Sequence, residues 1–138
     1  MFCRTAGWIV ALACAAPAWA QLPPDQTAFD QLVTAAGATN GGAQACGGSE
    51  PDIAQHQTTA AANLKKFAEE FRYKLDRYDA TFAAGQQEGR EMMAQMRRTN
   101  VDGCSGVLQS LQAERTMSYR AFKQAVAEVA DGLPEKKD

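Results

Sequence analysis

The amino-acid sequence predicts an all-α fold: a small helical bundle of one short and three longer helices, closed by a single disulfide. Three observations carry that expectation. β-Branched residues are few, and no stretch alternates apolar and polar residues as a half-buried strand would. Apolar residues instead recur three, four or seven positions apart over most of residues 25–131. Finally, the four cysteines reduce to a pair once a removable N-terminal segment is recognised, and a pair in an exported chain is read first as a disulfide.

That N-terminal segment comes first. Arg4 supplies a short positive region, residues 6–16 form an uncharged apolar run, and Ala18-Trp19-Ala20 ends it with Ala-x-Ala before Gln21. The layout is that of a secretory signal peptide over residues 1–20, since the run falls well short of the roughly 20 residues that span a bilayer. Acylation at Cys14 is the rival reading, but Leu12 stands one position too late for a lipoprotein site. Cleavage leaves a helical domain over residues 21–131 and a frayed tail over residues 132–138, with no membrane span. The expected location is the periplasm or the exterior. Loss of Arg4 takes the net charge one unit below the −2 of the full chain, too mixed and too acidic for a nucleic-acid surface.

The helices follow in order. Pro23-Pro24-Asp25 provides a stop and an N-cap, and Phe29, Leu32, Val33 and Ala36 share one face of a short helix that Gly37 ends. Residues 40–48, rich in glycine, predict a loop holding Cys46. Ser49 and Asp52 then form a capping-box-like start, with Pro51 in the first turn.

From Ile53 a stripe runs through Leu64, Phe67, Phe71, Leu75, Tyr78 and Phe82 to Gly85, Gly89, Met92, Met93 and Met96. One straight helix of that length would be roughly 75 Å long. Cys46 and Cys104, 58 positions apart, would then lie at opposite ends, whereas a disulfide needs Cα atoms within about 7 Å. The segment must therefore turn back, and Asp76 and Asp79 as N-cap candidates place the corner at residues 76–80. A last helix starts near Asp102, with Cys104, Leu108, Leu111, Tyr119, Phe122, Val126 and Val129 on one stripe, and Gly132 with Pro134 ends it.

A few residues invite chemistry. His56, the single histidine, lies one turn after Asp52; two ligands do not make a metal site, and a half-buried histidine paired with that carboxylate is the plainer reading. Met92, Met93 and Met96 are soft donors suited to Cu(I), yet they share the stripe of Phe82, where thioethers fill a core. Gly85 and Gly89 suit the close approach of a neighbouring helix. Arg115 falls in the middle of an apolar stripe. It either pairs with a carboxylate such as Asp76 or Asp79, or the helix breaks at Thr116–Ser118 and the phase resets. Tyr73 stands opposite the stripe, on a face laced by Glu70–Lys74 and Arg72–Asp76 pairs, as an exposed contact residue would. No nucleophilic triad, phosphate loop or haem-attachment motif is present, so no cofactor is expected.

In layout the chain resembles small exported proteobacterial proteins of unknown function. The resemblance is carried by Cys46 at the first helix junction, Phe82 and Gly85 in a Phe-x-x-Gly helix, and Cys104 opening the last helix. It implies no activity. The expectation from the residues is a non-enzymatic interaction module, of adaptor, inhibitor or immunity type, that meets another periplasmic or envelope protein. A copper-binding protein using Met92, Met93 and Met96, with His56 as a further candidate ligand, is the alternative.

Overall fold

The computed structural model describes residues 26–131; the expected signal peptide, the Asp25 cap and the C-terminal tail lie outside them. Five helices succeed one another: α1 (Gln26–Ala45), α2 (Glu50–Phe71), α3 (Tyr78–Arg98), α4 (Cys104–Glu114) and α5 (Tyr119–Asp131). No strand occurs among the described residues. The bundle is all-α as expected, and Cys46 and Cys104 are joined, with their Cα atoms 5.4 Å apart.

The first helix departs from the sequence expectation. Gly37 does not end α1, and residues 40–45 of the expected loop are helical. The reason lies in α3. Gly37 and Gly41 face α3 so closely that a β-carbon on Gly37 would lie 3.0 Å from the Gln86 nitrogen, and one on Gly41 would collide with the Gln86 carbonyl. In return, β-carbons on Gly85 and Gly89 would strike the carbonyls of Thr34 and Ala38. Each glycine costs its helix roughly 1 kcal/mol in propensity, and the packing of two backbones without intervening side chains outweighs it. Thr34 meets Gly85 and Ala38 meets Gly89, so α1 and α3 run parallel.

Between them in sequence, α2 runs antiparallel. Its start is capped as expected, the Ser49 hydroxyl accepting from the Asp52 amide at 3.3 Å with Pro51 in the first turn. Its end comes earlier than expected. Arg72 adopts the left-handed conformation at φ 61° and returns its amide to the Ala68 carbonyl, so the corner spans residues 72–77 rather than 76–80. Neither Asp76 nor Asp79 caps α3, which begins after Arg77 without a side-chain cap. The Glu70–Lys74 and Arg72–Asp76 spacings therefore straddle the turn. Gln26 closes the corner, its side chain bridging the Lys74 amide at 2.9 Å and the Lys74 carbonyl at 3.2 Å.

The core divides in two. Phe29, Val33, Leu64, Phe67, Ala68, Tyr78 and Phe82 pack together near the corner. At the disulfide end Ala43, Ile53 and Leu111 form a second, smaller cluster with Leu108 beside it. Burying each large side chain contributes about 1.5–3 kcal/mol. Tyr73 belongs with the first cluster: half-buried, it stacks on Phe29 at 5.0 Å and on Phe67 at 5.9 Å. The expected exposed tyrosine fails because Tyr73 lies in the turn, where helical phase no longer applies.

The last stripe breaks where Arg115 disturbs it. Residues 115–118 separate α4 from α5, and the Ser118 hydroxyl accepts from the Ala121 amide at 3.1 Å to start α5 afresh. Of the two alternatives for Arg115 the break is the one found, and the last helical segment is two helices. Arg115 turns to α2, 3.7 Å from Asp52 and hydrogen-bonded to Gln55 and Gln112; neither Asp76 nor Asp79 is its partner.

Candidate functional site

Where α1, α2 and α4 converge, a buried polar network replaces apolar packing. Asn40 and His56 are both fully enclosed. The Asn40 amide nitrogen donates to the Ile53 carbonyl at 3.0 Å and faces His56 Nδ1 at 3.1 Å. Asn40 Oδ1 accepts from Gln86 at 2.9 Å and from Gln44 at 3.4 Å. With that oxygen engaged by donors, the nitrogen end of the amide is fixed toward the ring, and His56 Nδ1 must accept. The ring's proton then sits on Nε2, which donates to Glu114 Oε2 at 2.7 Å. Both ring nitrogens are thereby committed.

Glu114 is the outlet of this network. Its side chain keeps 34% of its exposure, and Oε1 has only a long 3.5 Å contact with the Thr39 hydroxyl. The carboxylate borders a cleft of about 210 Å³ between α1, α2 and α5. Leu32 and Ala36 of α1, Leu64 of α2, and Phe122 and Val126 of α5 form its apolar walls. Thr39 and Asn63 add polar groups, Asn63 donating to the Met117 carbonyl at 2.9 Å. Glu114 is the sole charged residue among those that line it.

The cleft exists because α5 is held at one end. Tyr119 and Lys123 both engage Glu70, Lys123 at 3.1 Å, and Phe122 meets the Phe67 ring edge-on at 5.6 Å. Further along, Val126 leans on the core while Val129 remains 67% exposed at the rim. The Tyr119 hydroxyl, then Lys123, hold the Glu70 carboxyl below its ordinary value. Burial, then the Glu70 bond, push the Tyr119 phenol up to about 12. On the far side of α4, the Gln112 amide is the main group that lowers Asp52, with Ser49 and Arg115 assisting.

The residues singled out in the sequence divide accordingly. His56 is fully buried rather than half-buried, and Glu114 instead of Asp52 is its carboxylate partner. Met92, Met93 and Met96 do line one hollow with Gly103 and Val107, but Met93 alone is buried and Met92 is 51% exposed, so the trio is not uniformly core. His56 is not among the residues lining that hollow. Among the described residues no group of three or more His, Cys, Asp or Glu side chains is arranged to hold a metal ion. No described helix is long and apolar enough to cross a membrane.

Asn40 and Glu114, which engage the two ring nitrogens of His56, escape a reading of the sequence alone. Asn40 sits inside the expected glycine loop, although Gly37, Asn40 and Gly41 share one helix face. Glu114 follows Leu111 by three positions and so borders its buried stripe, a signal masked by the charge of Arg115 beside it. Comparisons with protein-family models, with curated proteins and with solved structures returned no match for this chain.

Proposed function

We propose that the chain is a non-enzymatic binding module of an oxidising compartment outside the cytoplasm, an interaction protein of adaptor, inhibitor or immunity type. Its partner, another periplasmic or envelope protein, engages the cleft between α1, α2 and α5. The observation that carries this reading is the cleft itself: an open, apolar-walled recess with one carboxylate on its border. Two further features support it. The Cys46–Cys104 bridge suits an exported chain, in keeping with the signal-peptide layout of residues 1–20. His56, the residue best suited to proton transfer near neutral pH, has both nitrogens engaged and serves to hold Glu114.

The test uses n-octanol as a neutral apolar probe, followed through the methyl resonances of the oxidised protein. Shifts confined to Leu32, Leu64, Val126 and Val129 are expected, and Ala125→Phe, which fills the cleft from α5, should abolish them. Shifts of equal size in that variant, or none in the wild type, would remove the basis for the proposal.

A second reading draws on the methionine hollow, where three thioethers lie together close to the disulfide. They would bind Cu(I) as a soft donor set without His56. Titration with Cu(I) decides it: affinity no greater than that of the triple Met→Leu variant ends this reading.

A further inference from the structure

The cleft border carries one carboxylate, Glu114. Glu114 Oε2 is engaged by His56 Nε2, which orients the carboxylate and leaves Oε1 toward the cleft. The adjacent cation in sequence, Arg115, is turned to Asp52, Gln55 and Gln112 on the α2 side. No lysine or arginine lines the cleft among the described residues. Oε1 and the Thr39 hydroxyl therefore present two acceptors to whatever enters, next to aliphatic walls. A group that matches this surface has a slender aliphatic stem and a compact cation at its tip.

We propose that the cleft receives a lysine side chain, with an aliphatic neighbour, from a segment of the partner protein; this rests on the binding reading above. The stem lies against Leu32, Ala36 and Leu64, and the ammonium donates to Glu114 Oε1 and Thr39 Oγ1. A compact ammonium suits this place better than a guanidinium, since one carboxylate oxygen is already taken by His56 and bidentate pairing is blocked.

Two observations favour a protein segment over a free amine. A small ligand is mostly enclosed by its pocket, whereas this recess is open and its apolar surface continues past the rim through the exposed Val129. That outer surface is where the aliphatic neighbour of the lysine would rest. The cleft is also close in size to a cavity that holds one small ring, room for a side chain rather than a whole helix.

The test compares four probes by methyl NMR titration of the oxidised full chain: acetyl-Leu-Lys-N-methylamide, its norleucine counterpart in place of lysine, n-octylammonium, and n-octanol. The lysine peptide should bind about tenfold more tightly than the norleucine peptide, and Glu114→Gln should erase that preference. The amide introduced by this substitution retains an acceptor for His56, so the network survives the change, and unaltered Asn40 and His56 resonances would verify it. Thr39→Val should weaken lysine-peptide binding in the same direction. Equal binding of the two peptides, with n-octanol still bound, overturns the lysine assignment while the binding reading stands. Tighter binding of n-octylammonium than of the lysine peptide overturns the protein source. Failure of all four probes to shift the cleft methyls overturns both readings together.

Discussion

Asn40 joins three helices through one amide: α2 through Ile53 and His56, α3 through Gln86, and its own helix through Gln44. Buried polar groups that lose a partner cost about 1–3 kcal/mol. Asn40→Ala should therefore destabilise the oxidised protein by about 2–3 kcal/mol in urea unfolding, whereas Gln44→Ala, at the network's outer edge, should cost less than about 0.5 kcal/mol. A loss at Asn40 no larger than at Gln44 would show that the network does not form. Glu70 and Tyr119 make one part of α5 docking depend on pH. The folded state holds the Glu70 carboxyl below its ordinary 4.5, so its contribution is present above that pH and fades as pH falls through the lowered value. Tyr119 is shifted the other way, so its contribution is complete below pH 10 and is lost as pH rises toward about 12. The Phe67–Phe122 ring contact should weaken at both extremes in NMR spectra. In Glu70→Gln the acid-side change should vanish.

At the scale of elements, helix interiors that contain glycine behave in opposite ways according to what faces them. Gly106 in α4 has open space where a β-carbon would go, so Gly106→Ala should raise stability by about 0.5–1 kcal/mol through helix propensity. Gly85→Ala makes the same propensity gain but drives a methyl into the Thr34 carbonyl, and should instead cost about 1–3 kcal/mol. Thermal or urea midpoints of the two variants moving in the same direction would contradict the α1–α3 packing. The same contrast explains what is legible in the sequence. Ser49 and Pro51 act through local capping, so the start of α2 is readable from a few adjacent residues. The end of α2 depends on a left-handed arginine, which carries no glycine or asparagine signal, and the expected corner therefore falls a few residues late. The expected α1 is too short because local propensity treats Gly37 and Gly41 as breakers, while their role is set by a helix some 45 positions away. Of the site, His56 is visible as a lone titratable residue, but its Glu114 partner across 58 positions is not.

Across the whole molecule, the disulfide ties the end of α1 to the start of α4 and so fixes the α4 segment that carries Glu114. Closing a loop of 58 residues stabilises by about 4 kcal/mol in the chain-entropy model. A Cys46→Ala, Cys104→Ala double variant should lose about that amount in urea unfolding. It should also bind n-octanol less tightly, because α4 would then be held by packing alone. Unchanged stability would mean that the bridge does not constrain the unfolded chain.

The binding reading and the lysine assignment proposed above both concern the cleft between α1, α2 and α5. Intermolecular NOEs between acetyl-Leu-Lys-N-methylamide and the oxidised protein are the sharpest test of that placement. Contacts are expected from the lysine ε-methylene to Thr39 and Leu64, and from the leucine methyls to Val126 and Val129. Contacts made instead to the exposed Phe71 and Leu75 at the α2–α3 corner would refute it.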